Sequence, residues 1–276
     1  MRSLTRKSSL LPLALLPLLT ACSKADVSGL GFEEGVTSVN DASLSLWQGA
    51  WIAAAVVGGF TLILILWPVF FHRKKDESFP KQTQYNIPVV VAYTVIPFVI
   101  VAVLFYFTVQ RESKIVKITP DAQVSHFIDV VGFQWSWQFK YREAGDYKSA
   151  TVTGTPAQPP TLYLPQGQKV RFTLDANDVV HGFWIPAFMI QMQNLPGVTN
   201  KLEFTANKLG TYPGRCNILC GRNHSQMLFS VKVVTLAEYE KYLQDLVAEE
   251  KAGLALQPMR NVQQSQLHLP PHCRHQ

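Results

Sequence analysis

The sequence predicts two membrane-spanning α-helices followed by an exported all-β domain, and three observations carry that prediction. No charged side chain occurs between Asp41 and His72, nor between Lys81 and Arg111. Residues 115–234 then change texture, with short β-rich runs separated by turn residues. Of 276 residues, 47% are hydrophobic and only 16% charged. That is too apolar for a disordered chain and too poor in charge for an ordinary soluble enzyme.

The N-terminus has Arg2, Arg6 and Lys7, then an apolar run from Leu10 to Leu19, then Thr20-Ala21-Cys22. A basic start, a short apolar core and small residues make a secretory signal over 1–21. The run falls short of the roughly 20 residues that a spanning helix needs. Leu19-Thr20-Ala21-Cys22 resembles a bacterial lipobox, which implies cleavage before Cys22 and lipidation of its thiol. Residues 22–46 are expected to be an external segment. The first span is expected over 47–71, with Trp47, Trp51 and Trp67 near its ends as an interfacial aromatic belt. The second is expected over 87–110, with Pro88 at an early helical position and Pro97 at mid-span. The connector 72–86 holds Arg73, Lys74, Lys75 and Lys81, whereas the stretch between Cys22 and Trp47 holds one lysine and four acidic residues. Basic residues mark the cytoplasmic side, so the connector is placed inside and everything after Lys114 outside.

Strands are expected at 128–133, 161–164, 169–174, 201–204 and 227–234, the pattern of a sandwich or barrel over 115–235. Thr235-Leu-Ala-Glu238 reads as a capping box that opens an amphipathic helix over 236–250. The proline-containing remainder, 251–276, is expected to be a flexible tail. The formal net charge of +6 does not point to nucleic acid. Residues 121–250 carry 11 Lys/Arg against 12 Asp/Glu, and no basic patch with interleaved aromatics appears. Of four cysteines, only Cys216 and Cys220 are close in sequence, so disulfides are not the main source of stability.

The densest chemistry is Cys216-Asn-Ile-Leu-Cys220-Gly-Arg-Asn-His224-Ser-Gln-Met227, with His181 upstream in Asp178-Val-Val-His181. Thiolate and thioether donors favour soft metals, copper above all. The methionine argues against a structural zinc site, which takes four Cys or His ligands. A single blue-copper centre uses one Cys, and here there are two at short range. Two thiolates bridging two coppers, each completed by one His and one weaker ligand, would use every residue of the set.

This pattern, with the two-helix hairpin, Gln134-Trp135-Ser136-Trp137 and the Pro196-Gly197 turn, resembles the copper A-containing cytochrome c oxidase subunit II family. The lipobox and Leu104-Phe-Tyr-Phe107 resemble actinobacterial members most. The resemblance implies a cupredoxin-like Greek-key barrel facing outward from the cell membrane. It makes Cys216 and Cys220 bridging thiolates, His181 and His224 terminal ligands, and Met227 and the backbone carbonyl of Ile218 weak ligands. It makes Trp135 the place where electrons from cytochrome c enter, and Asp178 an acidic docking position. Alternation along a strand would put Trp135 and Trp137 on one face.

The implied activity is that of a proton-translocating oxidase subunit that does not reduce oxygen by itself. Its implied partners are subunit I, which holds the haem, other oxidase subunits, membrane lipid and cytochrome c, in free form or bound or fused to the bc complex. Three positions depart from the family. Ile218 replaces a Glu that helps hold magnesium at the subunit interface, which puts magnesium in doubt. Val90 stands where an acidic residue serves proton uptake. Asn194 replaces an acidic residue before the Pro-Gly turn. Two other readings stand beside this one: a tethered copper carrier without electron transfer, and a quinol oxidase subunit II, a family that resembles this one in fold but lacks the copper ligands, all of which are present here.

Overall fold

A computed structural model describes residues 29–73, 76–79, 82–142 and 150–251. The expected signal segment, Cys22 and the tail beyond 251 lie outside them. Helix α1 spans Asn40–Phe71 and α2 spans Ile87–Ile115. Both are long and apolar enough to cross a membrane. Asn86 caps α2, its Oδ1 accepting the Val89 amide at 3.3 Å, and the helix runs on through Pro97. Helix α1 begins seven residues before the expected start because Asn40 is anchored: its Nδ2 donates to the Glu33 carbonyl at 2.7 Å.

The outer domain is two five-stranded sheets. The first has the order β3-β2-β1-β5-β8, from Thr151–Thr153, Ser136–Tyr141, His126–Phe133, Lys169–Ala176 and Asn200–Thr205. The second has the order β4-β10-β9-β6-β7, from Thr161–Pro165, Leu228–Val234, Gly210–Cys216, His181–Ile185 and Ile190–Asn194. Parallel pairs β1·β5 and β4·β10 sit within otherwise antiparallel sheets, the crossed order of a cupredoxin-like barrel. Alternate residues face inward, so Ile128, Val130, Phe139, Leu162, Phe172, Phe183 and Val231 meet in one apolar core.

Five strands were expected, and the described residues form ten. The additional ones are β2, β3, β6, β7 and β9. The segment before α1 is also part of the domain: Val36 is buried in the core, and the Ser38 amide donates to the Thr205 carbonyl at 2.9 Å. On the other side, the buried Arg171 guanidinium bonds Glu203, Asp121 and the Thr119 carbonyl. These contacts tie the segment leaving α2 to β5 and β8. Helix α3, Leu236–Lys251, closes one side of the barrel with Tyr239, Leu243 and Leu246 buried.

Candidate metal centre

The donor atoms come from two elements and one loop. His181 opens β6, Cys216 ends β9, and the chain from Asn217 loops back to β10 at Leu228. Phe183 pairs with Cys216 across β6·β9, which places His181 beside the loop. The loop is closed by its own backbone: the Cys216 amide donates to the Met227 carbonyl at 2.9 Å. It therefore returns to its starting point and turns Cys220, His224 and Met227 toward Cys216.

The two sulfurs lie 3.8 Å apart. His181 Nδ1 lies 4.0 Å from Cys216 Sγ, and His224 Nδ1 lies 3.5 Å from Cys220 Sγ. Met227 Sδ is 3.7 Å from Cys220 Sγ, and the Ile218 carbonyl accepts the Cys216 thiol at 3.2 Å. All six expected donors thus converge, with one imidazole beside each thiol. Cys216, Cys220, His181 and Met227 are buried, while His224 is half-buried. Burial raises the Cys216 thiol, but its contacts with His181, the Gly182 amide and Ile218 lower it further, to about 6. Burial and the neighbouring Cys216 charge push Cys220 up to about 12. The pair therefore ionises in two separated steps when metal-free.

His181 is fully enclosed. A Cβ on Gly132 would lie 2.9 Å from its ring, so β1 must carry glycine where it passes the imidazole. Trp137 meets the same ring edge-on at 6.2 Å. Asp178 Oδ1 accepts the His181 Nε2–H at 2.8 Å. Burial alone would lower the His181 pKa and raise that of Asp178. The bonds to Cys216 and Asp178 hold His181 above its ordinary range, and those from His181, Gln134 and Val179 hold Asp178 below.

Trp135 and Trp137 do not share a face as expected. Phe133 pairs with Ser136, so Gln134 and Trp135 form the turn between β1 and β2, where strand alternation does not apply. Trp137 lies in the core and Trp135 is half-buried over the Cys loop. Its Nε1 donates to the Cys220 carbonyl at 3.3 Å. Gly221, at φ +122°, lets the loop pass under it; a Cβ there would meet Trp135 Nε1 at 3.1 Å.

Asn194 is fully buried, and its Nδ2 donates to the Val130 and Asp175 carbonyls at 2.9 and 3.0 Å. An ionised carboxylate could not donate either bond. The side chain of Ile218 packs toward Gly182 and offers a divalent cation no oxygen. The sequence reading missed Gly132, Gln134 and the grip of Asp178 on His181. The spacing of Asp178 and His181 was visible, but the Gln134 contact joins residues 44 apart.

Residues 126–234 match the family described as cytochrome c oxidase subunit II, periplasmic domain. The chain is 40% identical to a probable cytochrome c oxidase subunit 2 of Streptomyces coelicolor, with 87% of this chain and 86% of the relative covered. It is 32% identical to cytochrome c oxidase subunit 2 of Mycobacterium tuberculosis, covering 85% of this chain and 79% of that one. Among solved structures it is similar to the periplasmic domain of oxidase subunit II of Bradyrhizobium japonicum. That likeness has 25% identity and a TM-score of 0.43, over 48% of this chain and 99% of that one.

Proposed function

Because the chain belongs to the cytochrome c oxidase subunit II family, as a membrane protein with its C-terminal domain outside the cytoplasm, we propose that it is the electron-accepting subunit of a haem–copper terminal oxidase. In this reading it takes electrons from cytochrome c at a dinuclear copper A centre and passes them to haem in subunit I, where oxygen is reduced to water.

The observation that carries the reading is the donor set. Two thiols 3.8 Å apart, with an imidazole beside each and a thioether 3.7 Å from one, suit a pair of soft ions. Bound there, two coppers supply a one-electron couple whose charge change is shared between them. The chain's own residues do the rest. Strands β6 and β9 hold His181 and Cys216, and the closed loop holds the other donors, so ligand movement on a change of charge stays small. Both thiols are buried at the edge of the apolar core, which keeps water from them. The Trp135 ring lies between solvent and the Cys220 carbonyl, which supports its role as the place where electrons enter. Asp178, one-third exposed beside Gln134, contributes negative charge to that face for a basic partner. Magnesium has no side-chain ligand from Ile218. A lipidated Cys22 would add an acyl anchor to the two spans, with the preceding residues removed as a signal.

The test is metal analysis with electron paramagnetic resonance on the purified membrane complex. The expected result is two coppers per chain and a spectrum of one electron delocalised over both. Cys216→Ser should remove that spectrum. Retention of two coppers and an unchanged spectrum in the variant would overturn the assignment. A copper carrier would instead hold diamagnetic Cu(I) and give no such signal.

A further inference from the structure

We infer that Asp178 and Gln134 form a positioning relay that selects the ligating nitrogen of His181 and ties it to the Cys loop. The inference deepens the copper reading and rests on it. Four bonds make the relay. His181 Nε2–H donates to Asp178 Oδ1 at 2.8 Å. Asp178 Oδ2 accepts the Gln134 amide at 2.7 Å, and Oδ1 also accepts the Val179 amide at 2.7 Å. Gln134 Nε2 then donates to the Cys220 carbonyl at 2.8 Å. A line of hydrogen bonds thus runs from one expected ligand to another through the turn that carries Trp135.

A carboxylate that served only to attract a partner would keep its oxygens toward water. Both Asp178 oxygens are instead taken by donors of the protein itself. The carboxylate can only accept, so His181 must carry its proton on Nε2. Nδ1 is then the free lone pair, and it lies 4.0 Å from Cys216 Sγ. Gly132 and Trp137 wall the ring on other sides, so the steric fit sets its plane and Asp178 decides which nitrogen faces the thiols. A hydrogen-bonded carboxylate also makes an imidazole a stronger donor to a metal, and loss of such partners typically lowers metal affinity about 10–100-fold. Gln134 completes the arrangement by holding Asp178 with its backbone and the Cys loop with its side chain.

The test uses the full chain in its membrane complex, unmodified and as Asp178→Asn, Asp178→Glu and Gln134→Ala. Three quantities are read: copper retention against a chelator, the hyperfine coupling of the histidine nitrogens, and the midpoint potential. Asp178→Asn should weaken retention by about 10–100-fold, alter one of the two nitrogen couplings and raise the potential. Asp178→Glu keeps the charge but moves the oxygens by one methylene, so it should not restore these values. Gln134→Ala should change the nitrogen coupling with no change of charge. If Asp178→Asn alters only the KM for cytochrome c, and Asp178→Glu restores it, the carboxylate is a docking charge and the relay is overturned.

A copper-free measurement separates this from the copper reading. In metal-free full-length chain with ¹⁵N-labelled histidine, at a pH high enough that the His181 ring is neutral, His181 should be in the Nε2–H form, and Asp178→Asn should lose that preference. An Nδ1–H form in the unmodified chain overturns the relay whatever metal binds. An Nε2–H form in a chain that takes up no copper pair supports the relay and sinks the copper reading.

Discussion

At Gly132 a single missing methyl group decides whether His181 fits, since a Cβ there would lie within 3.1 Å of three side-chain carbons of the histidine. The neighbour is a ring enclosed on other sides, not the free end of a flexible chain. Gly132→Ala should therefore push His181 off the thiol pair at an overpacking cost of about 1–3 kcal/mol. Copper content should fall while the β-sheet circular dichroism persists, and normal copper content would show that β1 yields instead. Trp135 makes the opposite case, because its ring supplies contact and not a ligand. Trp135→Gln should slow reduction by cytochrome c and leave both coppers bound, as read by stopped-flow kinetics and metal analysis. An unchanged rate would assign Trp135 to packing alone.

Helix α3 is held by aromatic contacts and by its first turn. Tyr242 stacks on Tyr163 at 3.8 Å, and Tyr239 meets the His126 ring edge-on at 5.0 Å. Thr235 and Glu238 form the expected capping box: the Thr235 hydroxyl and amide donate to Glu238 Oε2 at 2.8 and 3.0 Å, and the Glu238 amide donates back at 3.3 Å. Thr235→Ala should cost about 1 kcal/mol, read as a lower melting temperature of the outer domain. His126 gives the helix a pH dependence. Burial lowers its pKa, against the opposing pull of Glu240. The folded state thus binds this proton more weakly than the unfolded chain does. The contribution is complete above the ordinary histidine range and is lost as pH falls from there through the lowered value. Hydrogen exchange in α3 should accelerate over that window, and His126→Phe should flatten the response. An identical pH profile in the variant would place the titration elsewhere.

The whole molecule joins two environments. The spans expose Ile, Leu, Val and Phe along their length because lipid is their solvent, whereas the same residue types are buried in the barrel. The parity of the hairpin places the connector on the opposite side from the barrel. A cysteine at Gln82 should be shielded from an impermeant thiol reagent in intact cells, and one at the exposed Ala157 should react. The reverse labelling would refute the orientation drawn from the basic residues.

The two spans, the donor set and the cap of α3 were legible in the chain because each is local. A run of more than 20 uncharged, mostly apolar residues has few fates besides a spanning helix, and five of the six expected donors lie from Cys216 to Met227. Half of the strands were not legible. Strand β9 reads Gly-Thr-Tyr-Pro-Gly-Arg-Cys, with two glycines and Pro213, a composition that argues against a strand. It forms because β10 and β6 pair with it on either side. The burial of Val36, the room that Gly132 leaves for His181 and the grip of Gln134 on Asp178 also belong to the tertiary structure. Each joins residues more than 40 positions apart, and no periodicity or spacing encodes such a contact before the two sheets close on each other.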